Sequence, residues 1–365
     1  MIIEAANLRL FIEALLISAG AESDIAAEVA RHLVGSNLAG HESHGVIRVP
    51  QYVGRIESGE LDPKARPVVL RDDGVTALID ARRGFGHFAT AFAFDWALGR
   101  ARERGMAAAA IRHCTHLGRL GEFTERAANA DMLAILTVGA AGPGVGGMVP
   151  FGGSQRFLGA NPWSFSIPAN AERDVVVDAS SSMVAEGKVK VALANGSSLP
   201  PGVITGRNGQ ATTNPQEFAD GGLVPLGGEV AGHKGTGLAL ASALFGALGM
   251  IGDGEPTMIG ASVRAGFEGA PGQLAGVFLI VIDPARFGDA ARYKDLVDGA
   301  VAALHQIPPA PGFTHVRVPG EPEAAAREGH LRNGIELPDA TWRDLSQVAA
   351  RYGVPAPATR APSGR

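Results

Sequence analysis

The stretch "HESHGVIR" places His41, His44 and Arg48 three and four residues apart, with Ser43 between the two imidazoles. On a helix that spacing puts both histidines and the guanidinium on one face. An arginine one turn from a histidine suits a substrate carrying a carboxylate beside an atom that gains or loses a proton. The planar guanidinium grips the acid through two parallel hydrogen bonds, and the imidazole works as acid or base near neutral pH. A solvated helix face with a capping histidine is the competing reading. A second cluster, "HCTHLGRLGEF", supplies His113, His116 and Arg119 where a buried strand runs into a glycine-containing turn. Strand ends in α/β sheets commonly present catalytic groups. A core histidine bonded to a nearby carbonyl is the alternative. The two H-x-x-H pairs also raise a metal-dependent hydrolase or lyase using His41, His44, His113 and His116. No carboxylate or thiolate stands beside them at ligand spacing, and four histidines are an unusual ligand set.

Three further groups stand out. Lys188 in "EGKVK" and Lys234 in "GHKGTGLAL" are two of only five lysines. A lysine flanked by glycines just before a helix can bind a phosphate or carboxylate, because helix N-terminal N–H groups favour anions; a surface lysine at a turn is the plainer reading. "VVVDASSS" ends a strand on Asp178, which fits either recognition of ribose hydroxyls or an N-cap.

The elements that must position these groups follow from periodicity. Residues 7–19 and 24–39 have apolar spacing of three and four, with Asn7 and Asp24 as N-caps, and a polar helix is expected from 43 to 58. Short apolar runs at 75–81, 107–113, 133–139, 163–169, 174–180 and 276–283 predict strands, interleaved with helices at 89–105, 118–131, 237–252 and 289–306. A turn over 317–323 and a helix over 339–353 close the pattern. The sum is a mixed α/β protein with helices at both ends.

"GPGVGGMVPFGG" contains G-x-G-x-x-G at Gly142, Gly144 and Gly147. A dinucleotide fingerprint also needs a helix starting at its third glycine and an acid about 20 residues on. Pro150, the Gly152–Gly153 pair and "GANP" forbid that helix, and no acid comes before Glu172. These glycines are read instead as a loop passing close to a ligand or a strand.

Composition sets bounds on function. A chain of 365 residues with 46% hydrophobic residues can bury real cores, and 50 glycines without a collagen period mean tight turns. The net charge of −5, with no basic block, gives no footprint for nucleic acid. The lone Cys114 excludes an internal disulfide framework and fits a reducing compartment, and the early acid in "MIIEAANLRLFIEALL" does not suit a signal peptide. The apolar run 237–252 is too short to span a bilayer. A cytoplasmic protein without a membrane partner is expected.

Taken together, "HESHGVIRVPQYVGRIESG", "HCTHLGRLGEF", "FLGANPWSFSIPA", "VVDASSSMVAEGK", "AGHKGTGLAL" and "RVPGEPE" resemble, in order, the malate/L-lactate dehydrogenase-like family of NAD(P)-dependent oxidoreductases. "HLGRLGEF" and "GSSLPPG" look most like its hydroxycarboxylate dehydrogenase branch. The resemblance implies a non-Rossmann NAD(P)-binding fold: a helical domain formed from both termini and a larger mixed-sheet cofactor domain. It divides the chain into residues 1–72 (helical), 73–285 (cofactor-binding, with helix 237–252 packing against the helical domain) and 286–353 (helical, with the "PGEPE" turn); the terminal stretch 354–365 is itself expected to be a disordered tail. The resemblance further implies a homodimer acting on a small-molecule carboxylate.

Within that resemblance Ser43, His44, Arg48 and His116 match the catalytic positions, and one or other histidine carries the proton. Asp178, Ser180, Ser181, Ser182, Lys234, Gly235, Gly320 and Glu321 match the cofactor segments, with no metal. The family's "GTNP" and "D-x-A-T-S" read "GANP" and "DASSS" here, with Ala160, Ser180 and Ser181 as departures. No arginine near Asp178 is evident to meet a 2′-phosphate, which puts NAD ahead of NADP. The activity implied is interconversion of a 2-hydroxy acid and its 2-oxo acid, with cyclic imine carboxylate reduction as the alternative.

Overall fold

Leu8, Phe11, Ile12, Leu15 and Leu16 fall on one helical stripe, and Ile25, Val29 and Leu33 on another. The computed structural model describes residues 1–142, 145–171, 173–250 and 275–360. It folds the two stripes into α1 (Ala5–Ser18) and α2 (Ser23–Leu38). The chain enters them at Glu4 and Glu22, neither side chain capping, so Asn7 and Asp24 lie inside their helices. The apolar sides of α1 and α2 meet Val49, Tyr52 and Val53 of α3 (Val49–Glu57) and Leu345, Val348 and Ala349 from the other end of the chain. Each fully buried Leu or Ile contributes about 1.5–3 kcal/mol, so this cluster holds both termini in one helical layer. A two-residue ladder adds to it: β1 (Ile2–Ile3) pairs with Ile335–Glu336 near the C-terminus.

The second layer, among the described residues, is a seven-stranded sheet. In chain order its strands are β2 (Val68–Asp72), β3 (Thr76–Asp80), β4 (Met106–Cys114), β5 (Leu133–Gly139), β6 (Trp163–Ile167), β7 (Val175–Ala179) and β11 (Ala275–Ile282). In space they run β2-β3-β4-β11-β5-β6-β7. Only β3 and β4 are parallel; the other neighbours are antiparallel, which makes the sheet mixed. Alternation along β11 sorts the two faces. Val277, Leu279 and Val281 join the core formed with α4 (Gly86–Arg104) and α5 (Gly121–Ala128). Phe278 points the other way and stacks on Phe245 of α7 (Gly228–Gly246), ring centres 5.0 Å apart. Beyond β7 come α6 (Glu186–Asn195) and a small sheet of β8 (Ile204–Thr205), β9 (Ala211–Thr212) and β10 (Gly222–Leu223). The C-terminal elements are α8 (Ala290–His305), α9 (Glu321–Asn333), β12 (Ile335–Glu336) and α10 (Asp339–Tyr352).

Several expectations need correction. The helix expected from 43 to 58 is two 3-10 turns, Glu42–His44 and Val46–Arg48, followed by α3, because Gly45 takes an extended conformation between them. The apolar helix expected at 237–252 begins earlier, at Gly228. Within the described residues it packs on β5 and β11 rather than into the helical layer; residues 251 and 252 lie outside the described residues. The turn at 317–323 opens a full helix, α9, that periodicity missed. The tail is not free through residue 360: Arg360 and Ile2 exchange two backbone hydrogen bonds of 2.9 and 3.0 Å; residues 361–365 are outside the described residues. No helix starts at Gly147. Its loop is pinned by Met148 N–H donating to the Leu158 carbonyl, 2.9 Å, while Gly144 lies outside the described residues.

Candidate active site

The break at Gly45 shapes the site. A Cβ on Gly45 would fall 2.2 Å from Asn37 Oδ1, and that same oxygen accepts the Val46 N–H at 2.8 Å. The close approach lets the end of α2 grip the turn bearing Ser43, His44 and Arg48. Gly45→Ala is therefore expected to cost about 1–3 kcal/mol, as overpacking does, and to lower turnover with it. A Tm and a kcat both within error of wild type would contradict this.

The turn presents its side chains as follows. Ser43 Oγ lies 3.0 Å from His44 Nδ1. Arg48 Nε donates to the Ser43 carbonyl at 2.6 Å and Nη1 to Gln51 Oε1 at 3.0 Å, leaving Nη2 without a partner among the described residues. His116, from the turn after β4, stacks on His44 with ring centres 5.7 Å apart and planes 18° off parallel. The two sequence clusters thus converge on one imidazole pair flanked by a guanidinium. Gly187 at the start of α6 approaches Ser43, its Cβ position 3.3 Å from Ser43 Cβ, and Gly147 of the glycine loop lies against Glu186.

Burial pushes His44 down to about 4, and the nearby Arg48 pushes the same way. His116, His87 and His32 are held well below the usual imidazole value, again chiefly by burial. All four are neutral at pH 7. In the unfolded chain these histidines take up protons near pH ~6.5, while the folded chain keeps His44 neutral to about 4. Between those values the unfolded state binds more protons, so stability falls as pH drops through that window. Urea midpoints at neutral and mildly acidic pH should show this loss, and His87→Phe should shrink it. An equal loss in that variant would contradict the assignment.

Of the expected cofactor residues, Asp178 and Ser180–Ser182 lie at and just after the end of β7, while Lys234 and Gly235 lie in α7 and Gly320 and Glu321 at the start of α9. Asp178 Oδ2 accepts the Gly121 N–H at 2.7 Å, so it caps α5 from a neighbouring strand, where the positive end of the helix favours a carboxylate. Its other oxygen accepts nothing among the described residues. Burial nevertheless raises its pKa, against the opposing pull of the Gly121 N–H and Arg119. Arg119 is 2% exposed; its Nη2 meets Glu125 at 2.7 Å, its Nη1 lies 3.7 Å from Glu122 and its Nε 3.8 Å from Asp178. The serines brace their own loop. Ser181 Oγ donates to the Asn161 carbonyl at 2.7 Å, Ser182 Oγ to the Val184 carbonyl at 2.9 Å and Ser180 Oγ to the Ser182 carbonyl at 3.1 Å.

That loop is tied to α7, because Leu226 N–H donates to the Ser181 carbonyl and Gly235 N–H to the Leu226 carbonyl. Gly235 has no room for a side chain, its Cβ position lying 2.3 Å from Leu226 N. Lys234 sits within α7 rather than ahead of it, exposed and without an ion pair among the described residues. Gly320, at φ 100°, turns the chain against β7, its Cβ position 3.1 Å from the Asp174 carbonyl. Glu321 is held by the Val318 N–H at 2.9 Å and His305 at 2.5 Å, and Glu323 reaches His41 at 3.1 Å.

Residues 3–346 match the family model described as malate/L-lactate dehydrogenase. The chain belongs to the malate/L-lactate dehydrogenase family. It is 30% identical over 356 residues to hydroxycarboxylate dehydrogenase B of Escherichia coli (strain K12), covering 96% of this chain and 94% of that one. It is 32% identical over 338 residues to a Δ1-pyrroline-2-carboxylate reductase of Ancylobacter novellus, covering 92% and 94%. The solved malate dehydrogenase of Entamoeba histolytica shares its fold with a TM-score of 0.91 at 23% identity, over 98% of this chain and 99% of that one.

Membership of this dehydrogenase family implies a nicotinamide cofactor, and the residues around β7 suit one. Asp178 Oδ1 accepts no hydrogen bond among the described residues and could take one from a hydroxyl, and the buried Arg119 Nε and Nη1 have no hydrogen-bond partner among the described residues. In this family member the proposed four-histidine metal set falls apart. His113 is held by Asp80 at 3.0 Å and His41 by Glu323, so the four rings do not converge; among the described residues no group of three or more potential ligands forms. Sequence reasoning missed Tyr52, eight residues after His44, and His87 in "FGHF". Tyr52 hydroxyl lies 2.8 Å from His116 Nδ1 and 3.4 Å from His87 Nε2.

Proposed function

We propose that this protein interconverts a 2-hydroxy acid and its 2-oxo acid with NAD or NADP. The observation that carries this reading is the stacked His44–His116 pair beside Arg48, whose Nη2 has no partner among the described residues. Arg48 holds the substrate carboxylate. In the oxidising direction the neutral His44 or His116 takes the C2 hydroxyl proton and becomes imidazolium; in the reducing direction the same ring, having first bound a proton from solvent, gives it to the C2 oxygen. Ser43 orients His44 through the 3.0 Å contact to Nδ1. When bound, a nicotinamide cofactor would supply hydride chemistry at C2. Asp178, the Ser180–Ser182 loop, Lys234, Gly235, Gly320 and Glu321 form the cofactor side, with NAD ahead of NADP. We further assign the protein to the cytoplasm and to a homodimer; no helix among the described residues is long and apolar enough to cross a membrane.

Reduction of a cyclic imine carboxylate is the second reading, favoured by the similarity to the Ancylobacter reductase. The same arginine and histidines serve it, with nitrogen protonated in place of oxygen. A panel of 2-oxo acids and cyclic imine carboxylates, assayed with NADH and NADPH in parallel, separates the two. Turnover of a 2-oxo acid supports the proposal, and turnover of cyclic imine carboxylates alone supports the second reading. No turnover of any, with no change in nucleotide fluorescence on mixing, would overturn it.

A further inference from the structure

Behind the His44–His116 pair stands a run of buried polar groups that the reaction above leaves unused. His116 Nδ1 meets the Tyr52 hydroxyl at 2.8 Å, and that hydroxyl lies 3.4 Å from His87 Nε2. The His87 ring meets His32 edge-on, centres 4.7 Å apart. Tyr52 is 1% exposed, and His87 and His32 are wholly buried.

A single hydroxyl proton can serve only one of the two rings, so the direction of the chain has to be decided. His32 shows how these rings behave. Its Nε2 lies 3.0 Å from the Arg119 carbonyl, which can only accept, so His32 carries its proton on Nε2. Its Nδ1 is then a bare lone pair, buried without a partner among the described residues. His87 repeats the pattern: its Nδ1 is likewise buried and unpartnered there. A buried N–H with no acceptor is rarer than a buried acceptor with no donor. The proton of the neutral His87 therefore sits on Nε2 and points to the Tyr52 oxygen. The Tyr52 proton is left to go to His116, along the shorter of its two contacts. Both lengths fit, since O–H donors make shorter bonds than N–H donors.

We propose that Tyr52 is a positioning residue: its hydroxyl, backed by His87 Nε2, donates to His116 Nδ1 and holds His116 in the tautomer that carries its proton on Nε2. The inference rests on the reading of His116 as a residue of the reaction site. It makes His116 a hydrogen-bond donor to the oxygen or nitrogen of the bound substrate and leaves the proton uptake of the oxidising direction to His44. Burial keeps the Tyr52 proton in place, because it raises the hydroxyl well above its usual value.

Nitrogen NMR of histidine-labelled wild-type protein reads this directly, with the His116 signals assigned by their loss in His116→Asn. The expected spectrum has His116 protonated at Nε2 and bare at Nδ1. In Tyr52→Phe the two tautomers should mix, and kcat should fall about three- to tenfold with KM within about twofold of wild type. A wild-type His116 protonated on Nδ1 overturns the proposal, as does a variant with unchanged spectrum and kcat. Should Tyr52→Phe fail to fold, the wild-type spectrum alone decides. Absence of carboxylate turnover by the wild type would defeat the reaction assignment instead, and the ring spectrum would still answer this question.

Discussion

His44→Ala and His116→Ala are each expected to lower kcat by about 10²–10⁴-fold, the usual worth of a positioned acid or base. The two rings are stacked 5.7 Å apart and are neutral at pH 7, the form that takes a proton in the oxidising direction; the same ring must first bind a proton to act as acid in the reducing one. Groups that act as a unit are not additive, so the double variant should be little worse than the poorer single one. Tm separates loss of chemistry from loss of fold. Removing His44 unlinks Ser43, whereas removing His116 leaves the Tyr52 hydroxyl without its 2.8 Å partner, a smaller structural change than the fall in rate. Near-normal turnover of the best substrate by both variants would contradict the assignment.

Arg119→Ala carries the largest expected effect on stability. The guanidinium is 2% exposed and faces the carboxylates of Glu122, Glu125 and Asp178. Removing one partner of a buried pair typically costs about 3–5 kcal/mol, because it strands the other charge. Arg31, 2.5 Å from Glu122, and Arg327, 3.6 Å from both glutamates, remain to offset part of this, so the lower end of that range is expected. The sign of the pH dependence is diagnostic. Burial already raises Asp178 and Glu125, and loss of Arg119 raises both further. A stranded carboxylate destabilises only while ionised, so the deficit against wild type should shrink as pH falls and the groups take up protons. Urea unfolding across the acidic range checks this, and a deficit that stays constant or grows would contradict it. Weaker NADH binding should accompany the loss, since Asp178 caps α5 within the proposed cofactor side.

Much of this was legible in the chain. Strand β5 (Leu133–Gly139) matches the run of apolar residues that predicted it, because a buried strand carries its pattern in consecutive residues. The mixed sheet and the helices at both ends follow from the same logic. The "HESHGVIR" helix was misread because three- and four-residue spacing survives in a 3-10 turn, and the break is set by Asn37 reaching Gly45 from another element. The N-cap reading of Asp178 holds for a distant helix, since it caps α5, 57 residues earlier. Tyr52, His87 and the Glu323–His41 contact were invisible for one reason: their partners lie 35 to 282 positions away, and no local period encodes such pairings. The glycine loop shows the reverse case, where a literal G-x-G-x-x-G was rejected correctly because the residues after Gly147 cannot form a helix.

The central claim is that a guanidinium at Arg48 grips a carboxylate while the histidine pair moves a proton beside it. Consumption of the reduced nicotinamide cofactor with the best 2-oxo acid, run side by side with the methyl ester of that acid, tests it most directly. The acid should be turned over and the ester at least about 10²-fold more slowly in kcat/KM, since the ester leaves Arg48 without its ionic partner. Equal rates for the two would contradict the account.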